Sequence, residues 1–233
     1  MGSDLPKVLL SVCGRPMIRH VLDAVRAAGI ERAVVVVGHR GELVRQELAG
    51  EPGVTFAEQT EQLGTGHAVM MCRAAIVAEN GPVLILAGDS PMVQVSSLRG
   101  ALAEFAAQRP ACLLGTATKS DPTGLGRIVR DGAGNFRAIV EEKEATPDER
   151  AVTEVNMSTY VFQAADLLWA LDQLTADNAQ REYYLTDCPG VLKTAGKTVV
   201  AAKVLQPCEA LSINTPEELA AVEEEMKRMT KLE

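Results

Sequence analysis

Apolar residues recur along this chain in two alternating rhythms. Met17, Ile18, Val21, Leu22 and Val25 repeat at helical spacing behind Gly14 and Pro16, and Gly29 closes the run. That spacing predicts a helix with Pro16 at its first position. Residues 33–37 are then continuously apolar and valine-rich, the pattern of a strand buried on both faces. A short helix over 43–48 and a short strand over 54–57 follow. Gln62 to His67 reads as a turn into a helix that extends to about Val77. Residues 83–86 form a third buried strand, which ends on Gly88-Asp89-Ser90-Pro91. A helix over 97–107 and a strand over 111–118 complete this half. Strands alternating with helices imply βαβ units and an α/β fold, doubly wound around a mostly parallel sheet.

The second half changes rhythm. Residues 127–130 and 136–140 flank Asp131-Gly132-Ala133-Gly134 and predict a hairpin. A strand is expected over 155–162, helices over 167–174, 185–195 and 217–229, and a strand over 198–203. No repeat or proline-rich linker divides the chain, so one domain over 1–233 is expected. Glu223-Glu224-Glu225 reads as a solvated helix face.

Composition narrows the function. A 47% hydrophobic fraction with 3% aromatics supports a sizeable core of Ala, Val, Leu and Ile. The net charge of −8 argues against nonspecific binding to nucleic acid or to anionic lipid. Five cysteines, at 13, 72, 112, 188 and 208, form no C-x-x-C pair and read as the reduced thiols of a cytoplasmic protein. The start shows no signal-peptide pattern, and the apolar runs fall short of the ~20 residues of a membrane helix.

In open α/β sheets, ligands bind beyond the carboxyl ends of the strands. Gly38-His39-Arg40, Gln59 to Gly66, and Gly88-Asp89 fall at such ends. Asp89 would project from a buried strand, where a carboxylate suits a Mg²⁺ otherwise held by waters and phosphate oxygens. The same carboxylate could instead cap the next helix or close an Asx turn. Gly64 and Gly66 permit close backbone approach around Thr65, whose helix start could read a base edge or hold an anion, or simply be capped. Lys7 and Arg15 are either phosphate contacts or surface cations. Gly126, Glu141 and Asn156 are candidates on the hairpin side, and Asn214, before Thr215-Pro216, is a candidate amide or a helix cap. His20 and His67 read as packing or capping residues. The chain carries no Walker lysine motif and no G-x-G-x-x-G.

Taken in order, several stretches resemble the sugar-1-phosphate nucleotidyltransferases, in particular bacterial N-acetylglucosamine-1-phosphate uridylyltransferase domains. They are Ser3-Asp4-Leu5-Pro6-Lys7-Val8-Leu9, Glu61-Gln62-Leu63-Gly64-Thr65-Gly66-His67-Ala68, Gly88-Asp89-Ser90-Pro91, Asp121 to Ile128, Ile139 to Lys143, and Asn178 to Asp187. The resemblance spans essentially the whole chain. It implies a Rossmann-like nucleotidyltransferase fold with a nucleotide-binding half over 1–118 and a hairpin-rich, sugar-binding half over 119–233. It implies that Lys7 contacts phosphates and, with Asp89, carries the catalysis. Gln59, Gly64 and Thr65 would read uracil, Asp89 and Asn214 would hold Mg²⁺, and Gly126, Glu141 and Asn156 would bind the sugar side. The implied reaction joins UTP and N-acetylglucosamine 1-phosphate into UDP-N-acetylglucosamine and pyrophosphate.

The family also opens with a buried central strand and a loop similar to L-A-A-G-x-G-T-R-M, of which Met1 alone aligns. The expectation is therefore that Met1 is internal to a longer frame. For the chain as it stands, nucleotide binding would be weaker by several kcal/mol, at roughly 1.5–3 kcal/mol per charged hydrogen bond. The neighbours of the absent strand would have unpaired edges. Leu125, Ala87 and Met157-Ser158 depart from close relatives and bear on sugar choice. Two other readings stay open: a non-catalytic nucleotide-sugar-binding module, and a relative using another sugar phosphate or nucleotide.

Overall fold

The computed structural model describes residues 5–230. Ser3 and Asp4 of the opening motif lie outside them. The elements run β1 (Ser11–Val12), β2 (Arg15–Pro16), α1 (Met17–Ala27), β3 (Ala33–Val37), α2 (Gly41–Glu47), β4 (Val54–Glu58), α3 (Thr65–Met70), α4 (Arg73–Glu79), β5 (Pro82–Ile85) and α5 (Val95–Gln108). They continue with β6 (Cys112–Thr118), β7 (Arg127–Arg130), β8 (Phe136–Val140), α6 (Pro147–Arg150), β9 (Glu154–Gln163), α7 (Ala164–Gln173), α8 (Cys188–Thr194), β10 (Val199–Ala202) and α9 (Pro216–Thr230).

The helical spacing of α1 works as expected. Met17, Ile18, Val21, Leu22, Ala24 and Val25 are buried on one face. Pro16 falls in β2, immediately ahead of the helix, instead of opening it. The helix ends where Gly29 takes φ +97°. There the Gly29 N–H donates to Arg26 O and the Ile30 N–H to Val25 O. This pair of bonds is a Schellman stop, which a glycine accommodates without strain. Glu223 is not simply solvated. Its Oε1 accepts the Cys13 N–H at 2.8 Å, tying α9 to the tight turn between β1 and β2.

The α/β arrangement forms, with a mixed sheet at its centre. Its order is β10-β6-β9-β7-β8, and β5 joins through β9. β5 and β6 each pair antiparallel with β9, so they run parallel to one another as the βαβ reading requires. What the alternating pattern did not predict is that β9, from the second half, lies between them. Ten residues long and almost wholly buried, β9 carries β6 along one edge. Its other edge is shared. β5 pairs with its C-terminal half, and β7 touches its N-terminal half at Arg127↔Val155. At the divide the β6 register jumps from Gly115↔Thr159 to Thr116↔Asn156, so Met157 and Ser158 bulge out. The largest core cluster packs α7 and α8 against this sheet through residues such as Leu114, Tyr160, Phe162, Leu167 and Leu192.

β3 and β4 form a separate parallel ladder. Among the described residues β3 pairs only with β4, and β5 only with β9. The long helix expected over 65–77 is broken at Met71 and Cys72 into α3 and α4. The cysteines are free thiols, and burial pushes Cys72 up to about 11 and Cys188 up to about 12.

One buried charge braces the sheet beside the bulge. Glu154 accepts from Thr116 Oγ1 at 2.7 Å and from Arg130 Nε and Nη2 at 2.8 and 2.6 Å. Burial alone would raise the Glu154 carboxyl, but the bonds from Arg130 and Thr116 hold it below its ordinary value. Arg130→Ala leaves that carboxylate buried without its main partner and is expected to cost about 3 kcal/mol in urea unfolding at pH 7. A group with a depressed folded-state value stabilises above its unfolded value and loses that contribution as pH falls. The difference between wild type and variant should therefore shrink below the ordinary carboxylate range. A difference that stays constant with pH would show that Arg130 acts by packing alone.

Candidate active site

Three clusters gather at the carboxyl ends of the strands. The first joins residues distant in sequence. Lys7 lies in a 3₁₀ turn (Lys7–Leu9) that follows Pro6, whose φ of −51° sets the entry of the chain. Its ammonium is 2.7 Å from Asp89 Oδ2, in the loop after β5, and donates to Asn214 Oδ1 at 3.1 Å. Asn214 is not the cap of α9. The Thr215 Oγ1 accepts the Glu218 N–H, and the Glu218 carboxylate accepts the N–H groups of Asn214 and Thr215. That reciprocal capping leaves the Asn214 amide available to Lys7. Asp89 likewise does not cap the next helix, which begins at Val95 behind Gln94. A partly exposed ion pair such as this contributes only ~0–1 kcal/mol to stability.

The second cluster surrounds Gln59. Its N–H donates to Val37 O at 2.8 Å, one step beyond the β3–β4 ladder. Its side-chain Nε2 donates to Gly64 O at 3.0 Å and lies 3.1 Å from His67 Nδ1. His67 therefore orients Gln59, a role its isolated position in the sequence did not reveal. The glycines serve a different approach from the one expected. At Gly64, φ is +99° and a Cβ would fall 2.6 Å from Tyr183 O; at Gly66 it would fall 2.9 Å from the same atom. The Gly66 N–H, one of the helix-start groups that could have faced a base or anion, donates to Tyr183 O at 2.7 Å. Thr65 is not the cap either: its Oγ1 accepts the Leu185 N–H at 3.0 Å. The segment around Tyr183 thus straps the loop, and nothing in the local sequence pattern of 178–187 pointed to that contact.

The third cluster sits at the β9 bulge. The Asn156 N–H donates to Gly126 O at 2.8 Å, and the Asn156 side chain donates to the Tyr160 hydroxyl at 2.7 Å. Asn156 Oδ1 accepts the Ser158 N–H at 3.3 Å, and Ser158 holds φ +53°. A Cβ at Gly126 would fall 3.0 Å from Ile139 Cγ2 and 3.3 Å from Glu141 Oε1, so Gly126 packs closely against this carboxylate. Burial, then the nearby Glu144 and Asp187, push the Glu141 carboxyl above its ordinary value. Half-buried acceptors beside an amide suit a neutral ligand rich in hydroxyl groups.

Of the predicted site residues Thr65 alone lines the large cavity beside β3 and β5, together with Pro6, Gly88, Ser158 and Leu185 from neighbouring positions. The Arg15 candidate lies elsewhere, and His20, read as a packing or capping residue, makes a backbone contact. Arg15 pairs with Asp23 on the surface, and His20 Nε2 lies 2.9 Å from Val12 O. Among the described residues no group of three or more His, Cys, Asp or Glu gathers as a protein-only metal cage would require.

Gly64→Ala places a side chain against Tyr183 O in a left-handed conformation. It should lower stability by ~2 kcal/mol and raise hydrogen exchange across 183–185. Unchanged exchange there would contradict the strap.

The sequence profile of MobA-like NTP transferase domains matches residues 1–189. The chain is 43% identical over 228 residues to the Bifunctional protein GlmU of Pelotomaculum thermopropionicum, covering 98% of this chain and 50% of that protein. It is 47% identical over 223 residues to the Bifunctional protein GlmU of Cupriavidus taiwanensis, covering 96% and 48%. The chain thus spans about half the length of the curated relatives it matches. The solved structure of apo-UDP-glucose pyrophosphorylase superimposes with a TM-score of 0.76 at 14% identity, over 97% of this chain and 92% of that one. At that identity the likeness is one of fold.

Proposed function

The chain belongs to the family of MobA-like NTP transferase domains, and from that premise we propose that it is a UDP-N-acetylglucosamine-forming nucleotidyltransferase. The substrates in this reading are UTP and N-acetylglucosamine 1-phosphate. A phosphate oxygen of the sugar attacks the α-phosphorus of UTP, the bond to the β-phosphate oxygen breaks, and pyrophosphate leaves. The attacking oxygen is already ionised at neutral pH, so no general base is needed. Positioning and charge neutralisation carry the rate.

The observation that supports this reading is the Lys7–Asp89–Asn214 cluster, gathered from three separate parts of the chain. A carboxylate oxygen and an amide oxygen directed at one cation fit the hard, oxygen-only donor set of Mg²⁺, with waters and phosphate oxygens filling the remaining positions. Asp89 and Asn214 would hold that ion, which when bound supplies neutralising charge to the leaving pyrophosphate. Lys7 would contribute a point charge to the phosphates. Gln59, Gly64 and Thr65 would present the uracil-reading edge, with His67 and Tyr183 holding it in shape. Gly126, Glu141 and Asn156 would bind the sugar side. In this reading residues 1–118 handle the nucleotide and 119–233 the sugar.

Pyrophosphate release from UTP, Mg²⁺ and N-acetylglucosamine 1-phosphate tests the assignment. Asp89→Ala and Lys7→Met should each lower kcat by about 10²-fold or more, while urea midpoints stay near wild type. A panel of other sugar phosphates and nucleotides should react more slowly. No release, together with no thermal shift on adding UTP and Mg²⁺, would overturn catalysis by this chain.

A further inference from the structure

One buried carboxyl takes no part in the reaction described above. Glu209 lies in the 3₁₀ turn Pro207–Ala210 and is 7% exposed. Its Oε1 accepts the Gln94 N–H at 3.1 Å. Its Oε2 accepts the Gln206 N–H at 2.7 Å and also the Ser97 hydroxyl. Gln94 and the buried Ser97 form the start of α5. One side chain thus bonds its own turn to a helix start 112–115 residues away. Burial pushes the Glu209 carboxyl above its ordinary value, and the bonds from Ser97, Gln206 and Gln94 oppose that shift. Burying a carboxyl is costly unless its oxygens are bonded, and here both are.

The two segments that Glu209 joins carry the candidate metal ligands. Asp89 lies five residues before Gln94, and Asn214 five residues after Glu209. Glu209 also borders a small cavity with Ala87 and Ser90, to either side of Asp89 in the chain. Between these points Met92 and Ile213 are buried in one apolar cluster with Val12, Met17 and Val222. That cluster holds the segments together, but apolar contact is non-directional. The bonds to Glu209 have defined distances and angles, and they set one segment against the other. At the far ends of the segments, Asp89 Oδ2 and Asn214 Oδ1 meet the Lys7 ammonium at 2.7 and 3.1 Å.

We propose that Glu209 is a positioning residue: it sets the placement of the Asp89 carboxylate relative to the Asn214 amide, and so the affinity of that pair for a divalent cation. The inference rests on the reading of Asp89 and Asn214 as Mg²⁺ ligands. Glu209 acts through the two loops and touches no substrate. Glutamine cannot replace it. A side-chain amide offers a single acceptor oxygen, so either the Gln94 N–H or the Gln206 N–H would face another donor.

The test uses the full chain and two metal readouts. One is the Mg²⁺ concentration for half-maximal pyrophosphate release from UTP and N-acetylglucosamine 1-phosphate. The other is Mn²⁺ affinity with UDP-N-acetylglucosamine present, followed by electron paramagnetic resonance, which decides alone where turnover is absent. In Glu209→Gln the Mg²⁺ requirement should rise at least about tenfold, with kcat recovering at saturating Mg²⁺. Mn²⁺ affinity should fall by a similar factor, and hydrogen exchange should rise together at 88–94 and 210–215. Ser97→Ala removes one donor and keeps the carboxyl, and should shift both metal readouts the same way by roughly threefold. If Glu209→Gln does not fold, Ser97→Ala decides by the same readouts. Arg130→Ala destabilises the sheet elsewhere and should leave the metal readouts unchanged, which separates positioning from loss of folded protein. Wild-type metal affinity in the folded variants, or faster exchange in only one of the two segments, would overturn the proposal and leave the metal assignment standing. A wild-type chain that neither releases pyrophosphate nor binds Mn²⁺ would overturn the metal assignment and this inference with it.

Discussion

The structure depends on how β9 divides its pairing. One edge of β9 belongs to β6, while the other is shared between β5 and β7. The two partners on that edge meet β9 at different heights, β5 at Tyr160 to Gln163 and β7 at Val155. Between those heights Met157 and Ser158 bulge out of the ladder with β6. Beside that bulge the Asn156 N–H donates to Gly126 O and the Asn156 side chain to the Tyr160 hydroxyl. β9, from the second half of the chain, pairs with β5 and β6 from the first and so ties the two halves into one sheet. Glu154, bonded to Arg130 and Thr116, keeps the N-terminal half of β9 in place beside this irregularity.

The candidate site is assembled from groups whose bonds are satisfied locally, which leaves a few atoms for a ligand. The glycines at 64 and 66 are spent on Tyr183, and the capping of α9 is spent on Thr215 and Glu218. What remains is the cation and its two oxygen partners, the oriented amide of Gln59, and the raised Glu141 carboxyl. This is an arrangement for binding and neutralising charge. A phosphoryl-transfer reaction with an ionised nucleophile needs those capacities and no nucleophilic side chain.

Much of this was legible in the sequence, and the rest was hidden for physical reasons. Valine runs at 33–37 and apolar runs at 83–86 marked buried strands because burial on both faces removes polar alternation. Asp89, Lys7 and Asn214 were visible as candidates, but local reading could not separate a cap from a ligand for Asn214, since both use an amide before Thr-Pro. The structure removes the cap reading, because Thr215 and Glu218 close the start of α9 between them. The insertion of β9 between β5 and β6 is a long-range pairing that no local rhythm encodes. The roles of His67 and Tyr183 arise from contacts between distant segments, and the break at Met71–Cys72 falls inside an apolar run whose helical periodicity continues through it. The β3–β4 ladder stands as a separate sheet among the described residues, which no local rhythm announced.

The central claim is that three segments distant in sequence form one ligand site around the β9 bulge. Hydrogen–deuterium exchange of the full chain, with and without saturating UDP-N-acetylglucosamine and Mg²⁺, tests it most directly. The account predicts that protection appears together at residues 59–67, 86–90 and 155–160. Protection confined to one of these segments, or absent from all three while the ligand is bound, would contradict it.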